Sequence, residues 1–146
     1  MNRRHFLAAA VAAPLVTACA APIGYNPVSG GTAGLLTGLQ KHMGTSMDQT
    51  VASAGSLFAL AQNKMSPADF AKLGTSLPGL PELVSRGTSL AGVSPASLSS
   101  MSAVTSALGK LNVSPAQISA MSGYLGNALT GSGATSAASS LMGALR

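Results

Sequence analysis

Few side chains in this 146-residue chain could do chemistry, and their spacing decides what kind it would be. General acid–base catalysis needs a positioned pair of titratable groups. The acids are Asp48, Asp69 and Glu82 alone. Asp48 stands three residues behind Thr45, Asp69 three behind Ser66, and Glu82 directly follows Pro81. Each pattern reads as the first turn of a helix, where the helix dipole favours a negative charge. No carboxylate pair is left over for proton transfer. His42 has no second His, Cys or acid at ligand spacing, so no metal site is expected. The many serines lack a positioned base and a Gly-x-Ser-x-Gly elbow, which argues against a serine nucleophile. Gly131-Ser132-Gly133 is not followed by Lys-Ser/Thr and reads as a turn rather than a phosphate cradle. No catalytic residue, cofactor or metal follows from these residues, and an enzyme is not expected.

Cys19, the one cysteine, is the exception. Val16, Thr17 and Ala18 lead into it as a branched aliphatic and two small residues lead into the cysteine of a bacterial lipobox. Ordinary cleavage after Ala20 is the competing reading, since Ala18-Cys19-Ala20 also fits a small-x-small site. Upstream, the basic stretch Met1-Asn2-Arg3-Arg4-His5 precedes a short apolar run from Phe6 to Leu15. That order is the pattern of a signal peptide, too short and flanked wrongly for a permanent span. Arg3, Arg4, Phe6 and Leu7 resemble the twin-arginine export motif, with Ala8 where that pattern carries Lys; the general secretory route is the alternative. The expected organisation is a signal peptide over 1–18, a lipidated Cys19 with a Pro- and Gly-containing tether over 19–32, and a domain over 33–146. With Ala20 after the cysteine, resemblance to Gram-negative lipoproteins implies transfer to the outer membrane, facing the periplasm.

Charge says little about partners. Only 8% of residues are charged, and the sequence pI near 10.0 reflects a shortage of acids. Setting aside Arg3 and Arg4, six cations face three acids: Lys41, Lys64, Lys72, Arg86, Lys110 and Arg146. They are scattered singly without interleaved aromatics, so nucleic acid is not an expected partner.

The elements that would position any site are helical. Ser66-Pro67-Ala68-Asp69-Phe70, Ser94-Pro95-Ala96-Ser97-Leu98 and Ser114-Pro115-Ala116-Gln117-Ile118 repeat one pattern. Ser is the N-cap and Pro takes the first helical position. Met65, Val93 and Val113 stand ready to staple onto Phe70, Leu98 and Ile118. Spacings of 28 and 20 residues are uneven, so this is recurrent capping chemistry and not a solenoid. Thr45 is read as the cap of a helix carrying Val51, Leu57, Phe58 and Leu60. From Ser94 onward Leu98, Met101, Val104 (or Thr105), Leu108 and Leu111 form one helical face; Ile118, Met121, Leu125 and Leu129 form another. Leu35, Leu36 and Leu39 mark a shorter helix, Pro81 restarts the chain after Leu77-Pro78-Gly79, and Thr135 to Leu145 is a last one. No segment alternates with period two. The expectation is all-α, a small bundle of five to seven short helices.

Residues 56–73, followed by Leu77-Pro78-Gly79-Leu80 and Leu83, resemble a bacterial family of unknown function named after the VcgC and VcgE proteins. Leu108-Gly109-Lys110-Leu111-Asn112-Val113-Ser114-Pro115 is similar to that family's second helix start. The resemblance covers about residues 45–146, loosest over Arg86 to Thr105, and implies no activity, cofactor or catalytic residue. Two functional expectations follow: a lipid-anchored structural or protein-interaction module of the envelope, and, alternatively, a carrier of an apolar ligand or lipid in a loosely packed, Met-containing core.

Overall fold

The computed structural model describes residues 31–146. Seven α-helices and no strand occur among them: α1 (Gly31–Met43), α2 (Met47–Lys64), α3 (Pro67–Ser76), α4 (Leu80–Ala91), α5 (Met101–Gly109), α6 (Pro115–Gly131) and α7 (Thr135–Ala144). A single 3-10 turn, Pro95–Ser97, lies between α4 and α5. The all-α reading therefore holds at the upper end of the expected number.

The bundle is built around α2. Every residue from Thr50 to Ala61 is buried, on all sides of the helix. That run is mostly Ala, Ser, Gly and Leu, and a helix without a polar face belongs in the middle of a core. Its small residues let neighbours come close, and α4 comes closest. A methyl group on Gly55 would meet the Leu83 carbonyl at 2.5 Å, and one on Gly87 would meet the Val51 carbonyl at 2.5 Å. The two helices touch backbone to backbone there, which only glycine permits. α6 and α7 pack as a looser pair, in which Gly126 faces the flexible side chain of Met142. Leu35, Leu39, Leu57, Phe58, Leu73, Leu77, Leu80, Leu108, Met121 and Leu125 fill the centre.

Three helices end the same way. Gly92 (φ 67°), Asn112 (φ 58°) and Gly133 (φ 83°) adopt the left-handed conformation. The next residue's N–H then reaches back five positions: Val93 to the Thr88 carbonyl, Val113 to that of Leu108, and Ala134 to that of Leu129. This is the Schellman arrangement, and Gly or Asn is what tolerates its left-handed position.

Several sequence expectations need correction. The cap of α2 is Ser46, not Thr45: Ser46 Oγ accepts from the Gln49 N–H at 3.2 Å, and Gln49 Oε1 accepts from the Ser46 N–H at 3.0 Å. That reciprocal box needs a Gln three residues on, which Ser46 has and Thr45 lacks. Thr45 instead shares a hydroxyl hydrogen bond of 2.9 Å with Thr50. Asp48 consequently sits one position earlier in the first turn than expected. Ser94 does not cap a long helix either, because its side chain makes no capping bond and the turn it precedes stops at Ser97. α5 starts afresh behind Ser100, whose Oγ accepts from the Ala103 N–H at 3.3 Å. Leu98 and Leu111 therefore flank α5 instead of belonging to its face. Finally, Gly31 and Thr32, assigned to the tether, are already helical. The Thr32 hydroxyl donates to the Pro78 carbonyl at 3.1 Å and fastens the first turn of α1 to the α3–α4 turn.

Candidate functional site

The signal-peptide and lipobox residues Arg3, Arg4, Phe6, Leu7, Val16, Thr17, Ala18 and Cys19 lie outside the described residues. The remaining polar residues can be placed. Ser66 caps α3, with its Oγ accepting from the Asp69 N–H at 3.2 Å and donating to Asp69 Oδ2 at 2.8 Å. Lys72 stands 3.5 Å from Asp69 on the same helix. The Ser66 hydroxyl holds the Asp69 carboxyl below its usual value; desolvation opposes it, and Lys72 adds a further lowering. Ser114 caps α6 in a full capping box, its Oγ accepting from the Gln117 N–H at 3.2 Å and its N–H donating to Gln117 Oε1 at 2.9 Å. Glu82 is in the first turn of α4. The three carboxylates thus sit on three different helix starts.

His42 closes the last turn of α1 and stacks on Tyr124 of α6, ring centroids 5.2 Å apart. Two rings in offset contact hold two helices together and perform no chemistry by themselves. Among the described residues no group of three His, Cys, Asp or Glu converges on a point that could hold a metal. No described helix is long and apolar enough to cross a membrane. The six cations Lys41, Lys64, Lys72, Arg86, Lys110 and Arg146 are all exposed and lie on or next to six different helices.

What the surface offers instead is clefts. One of about 370 Å³ lies between α3, α4 and the 3-10 turn, with Phe70, Val84 and Val93 as its apolar lining, Pro81 and Pro95 as walls, and Gln62, Ser85 and Ser89 at its rim. No charged residue lines it. A second, of about 330 Å³, runs between α6 and α7 and is lined partly by Gly126, Asn127, Ser139 and Arg146. The first has the size and apolar lining of a site for an apolar group, and neither contains an acid–base pair.

Two side chains that sequence reading passed over organise the molecule at long range. Gln49 Nε2 donates to the Leu111 carbonyl at 2.8 Å. Asn63 Nδ2 donates to the Pro95 carbonyl at 2.8 Å and to that of Leu98 at 3.0 Å. Both lie at the ends of the buried helix, and Asn is a poor helix former. A carboxamide at each end of an otherwise small and apolar helix was the available signal. The glycine contact had none, because Gly55 and Gly87 are single residues among seventeen glycines.

No curated protein matches this chain. No solved structure matches it either. A family model described as protein of unknown function VcgC/VcgE (DUF2780) matches residues 8–146. The match begins well ahead of the resemblance visible from about residue 45, and it takes in both Cys19 and the whole helical domain. Neither the clefts nor the match brings a catalytic arrangement with it. The family is what the comparison does establish: this all-α chain belongs to the VcgC/VcgE family of proteins of unknown function.

Proposed function

We propose that this chain is a membrane-anchored lipoprotein of the bacterial envelope whose helical domain acts as a non-catalytic structural or protein-interaction module in the periplasm. The observation that carries the reading is the single cysteine, Cys19, placed behind Val16-Thr17-Ala18 at the end of an export-like segment and nowhere else in the chain. Acyl chains on that thiol contribute about 0.8 kcal/mol per buried CH₂, so two or three chains anchor the protein lastingly. Ahead of the domain, Ala21-Pro22 to Gly30 supplies turn formers suited to a tether. In the domain itself, Asp69 is engaged with a capping serine, and Asp48 and Glu82 stand in first helical turns. That leaves the surface, rather than a reactive centre, to carry function.

The test is fractionation of cells making the full chain, with mass spectrometry of its N-terminal peptide. The expected product begins with a diacylglyceryl-modified Cys19 and sediments with membranes, while Cys19→Ser is released in soluble form. A soluble product beginning at Ala21 overturns the anchor. Replacing Arg3 and Arg4 by Lys keeps the charge and removes the twin-arginine motif; unchanged export of that variant assigns the general secretory route.

The carrier reading draws on the cleft of about 370 Å³ beside Phe70. Against it, Met121 is fully buried as packing and Met142 is seated on Gly126. Lipid retained by the protein in native mass spectrometry, and lost from Phe70→Ser, would move the function to that cleft.

A further inference from the structure

Caps, and hydroxyls bonded to carbonyls one turn back, engage many polar side chains of this domain but leave one stripe of α2 unexplained. At 3.6 residues per turn, Gln49, Ser53, Ser56, Leu60 and Asn63 fall within about 40° of a single line along the helix. Gly55, which touches α4, points well away from that line. α5 packs against α2, and the two carboxamides at the ends of the stripe bind the chain on either side of it. Gln49 holds the Leu111 carbonyl, just beyond the C-terminal end of α5. Asn63 holds the carbonyls of Pro95 and Leu98, just ahead of its N-terminal end.

Between those two attachments the stripe is unsatisfied. The hydroxyls of Ser53 and Ser56 are buried and have no hydrogen-bond partner. The residues that α5 buries are Val104, Ala107 and Leu108, whose side chains can neither donate nor accept. A buried hydroxyl without a partner disfavours the closed arrangement, because water would satisfy it once the cover is removed. α5 is also short, nine residues with three of them buried, and it runs from an exposed Ser99 just ahead of it to its exposed last residue Gly109 and the exposed Lys110 behind it. The α2–α4 contact is the opposite case, with backbone against backbone and no space between.

We propose that α5 is a lid: Ser99 to Lys110 lifts from α2 as a unit while the rest of the bundle stays folded, uncovering the stripe of Ser53 and Ser56 between the points that Gln49 and Asn63 hold. The carboxamides fix the two ends between which the lid lifts, and the orphaned hydroxyls set how readily it opens. This goes beyond the proposed role of the domain and does not depend on the lipid anchor.

Thiol labelling tests it cleanly, since Cys19 is the only natural cysteine. In the full chain carrying Cys19→Ser, one variant adds Ser56→Cys beneath α5 and another adds Ala54→Cys, equally buried but on a different side of α2. A lid predicts labelling of Ser56→Cys at least tenfold faster than Ala54→Cys, with a shallow urea dependence, because only local opening is needed. Equal rates that rise together with urea mean that global unfolding alone exposes both, and the lid is excluded. Native-state hydrogen exchange needs neither new thiol. There the amides of Thr105 to Gly109 are expected to exchange at least tenfold faster than those of Leu57 to Ala61, and exchange of both sets at one rate with one urea slope overturns the proposal.

Discussion

Two stretches of this molecule are nearly the same sequence and fold differently. Gly92-Val93-Ser94-Pro95-Ala96-Ser97-Leu98 and Asn112-Val113-Ser114-Pro115-Ala116-Gln117-Ile118 each follow a helix that ends on a left-handed residue. The second starts α6, seventeen residues long; the first makes a three-residue 3-10 turn and stops. One local difference is the residue three past the serine. Gln117 closes a capping box with Ser114. Ser97 instead turns its hydroxyl onto the Ser94 carbonyl at 2.7 Å, a local bond that competes with helix formation. The other difference is tertiary. In a continuing helix the Pro95 carbonyl would accept from the N–H four residues on; here it takes the Leu98 N–H at 3.2 Å and the Asn63 carboxamide. A well-written helix start is therefore not sufficient for a helix, because a neighbour that seizes its carbonyls can cut it short.

The largest effect expected from breaking this contrast comes from Asn63→Ala. It takes the carboxamide donor from the Leu98 carbonyl, the more buried of the two, and one of two donors from that of Pro95, and should destabilise the domain by about 2 kcal/mol in urea melts. A loss below about 0.5 kcal/mol would show that Asn63 does not hold the turn.

Next come the two serines. Ser114→Ala should cost about 1 kcal/mol by orphaning an N–H of α6. Ser94→Ala should stay within about 0.5 kcal/mol, because that side chain caps nothing. Ser119→Ala, exposed inside α6, is the control and should be neutral or a few tenths of a kcal/mol stabilising. Equal losses at Ser94 and Ser114 would erase the contrast.

A smaller effect separates its two causes. Ser97→Gln supplies the missing partner of a capping box, but with Asn63 in place the turn should hold and circular dichroism at 222 nm should barely change. In the Asn63→Ala background the same substitution should raise helicity. The coupling between the two sites is the measure of tertiary control.

The third version of the motif, Ser66-Pro67-Ala68-Asp69, is expected to give the smallest effect. Its carboxyl is held below the usual value chiefly by the Ser66 hydroxyl, so the folded pKa is depressed. Its contribution is therefore present above the unfolded value and is lost as pH falls through the lower, folded one. An NMR titration should show Asp69 moving back up towards the model-peptide value of 3.8 in Ser66→Ala. No change on that substitution would assign the shift to Lys72 instead.

What the sequence determined by itself was local. Ser66 and Ser114 bond residues three positions away, and the left-handed Gly92, Asn112 and Gly133 close turns within five. Such bonds are written into a few consecutive residues, as were the helical spacing of the leucines and the resemblance over the Ser-Pro starts. Ser46 was equally legible, since Gln49 completes its box in the same way that Gln117 completes that of Ser114. The tertiary structure decided the rest. Asn63 and Pro95 are 32 positions apart, and nothing near Pro95 announces that its carbonyl will be taken. Gly55 and Gly87 are ordinary helical glycines until two backbones meet at them. Ser53 and Ser56 are ordinary polar residues until the folded bundle buries their hydroxyls without a partner. Capping depends on atoms that the chain brings together by its own geometry, whereas the buried hydroxyls of α2 lose their water only because distant helices were folded onto one another.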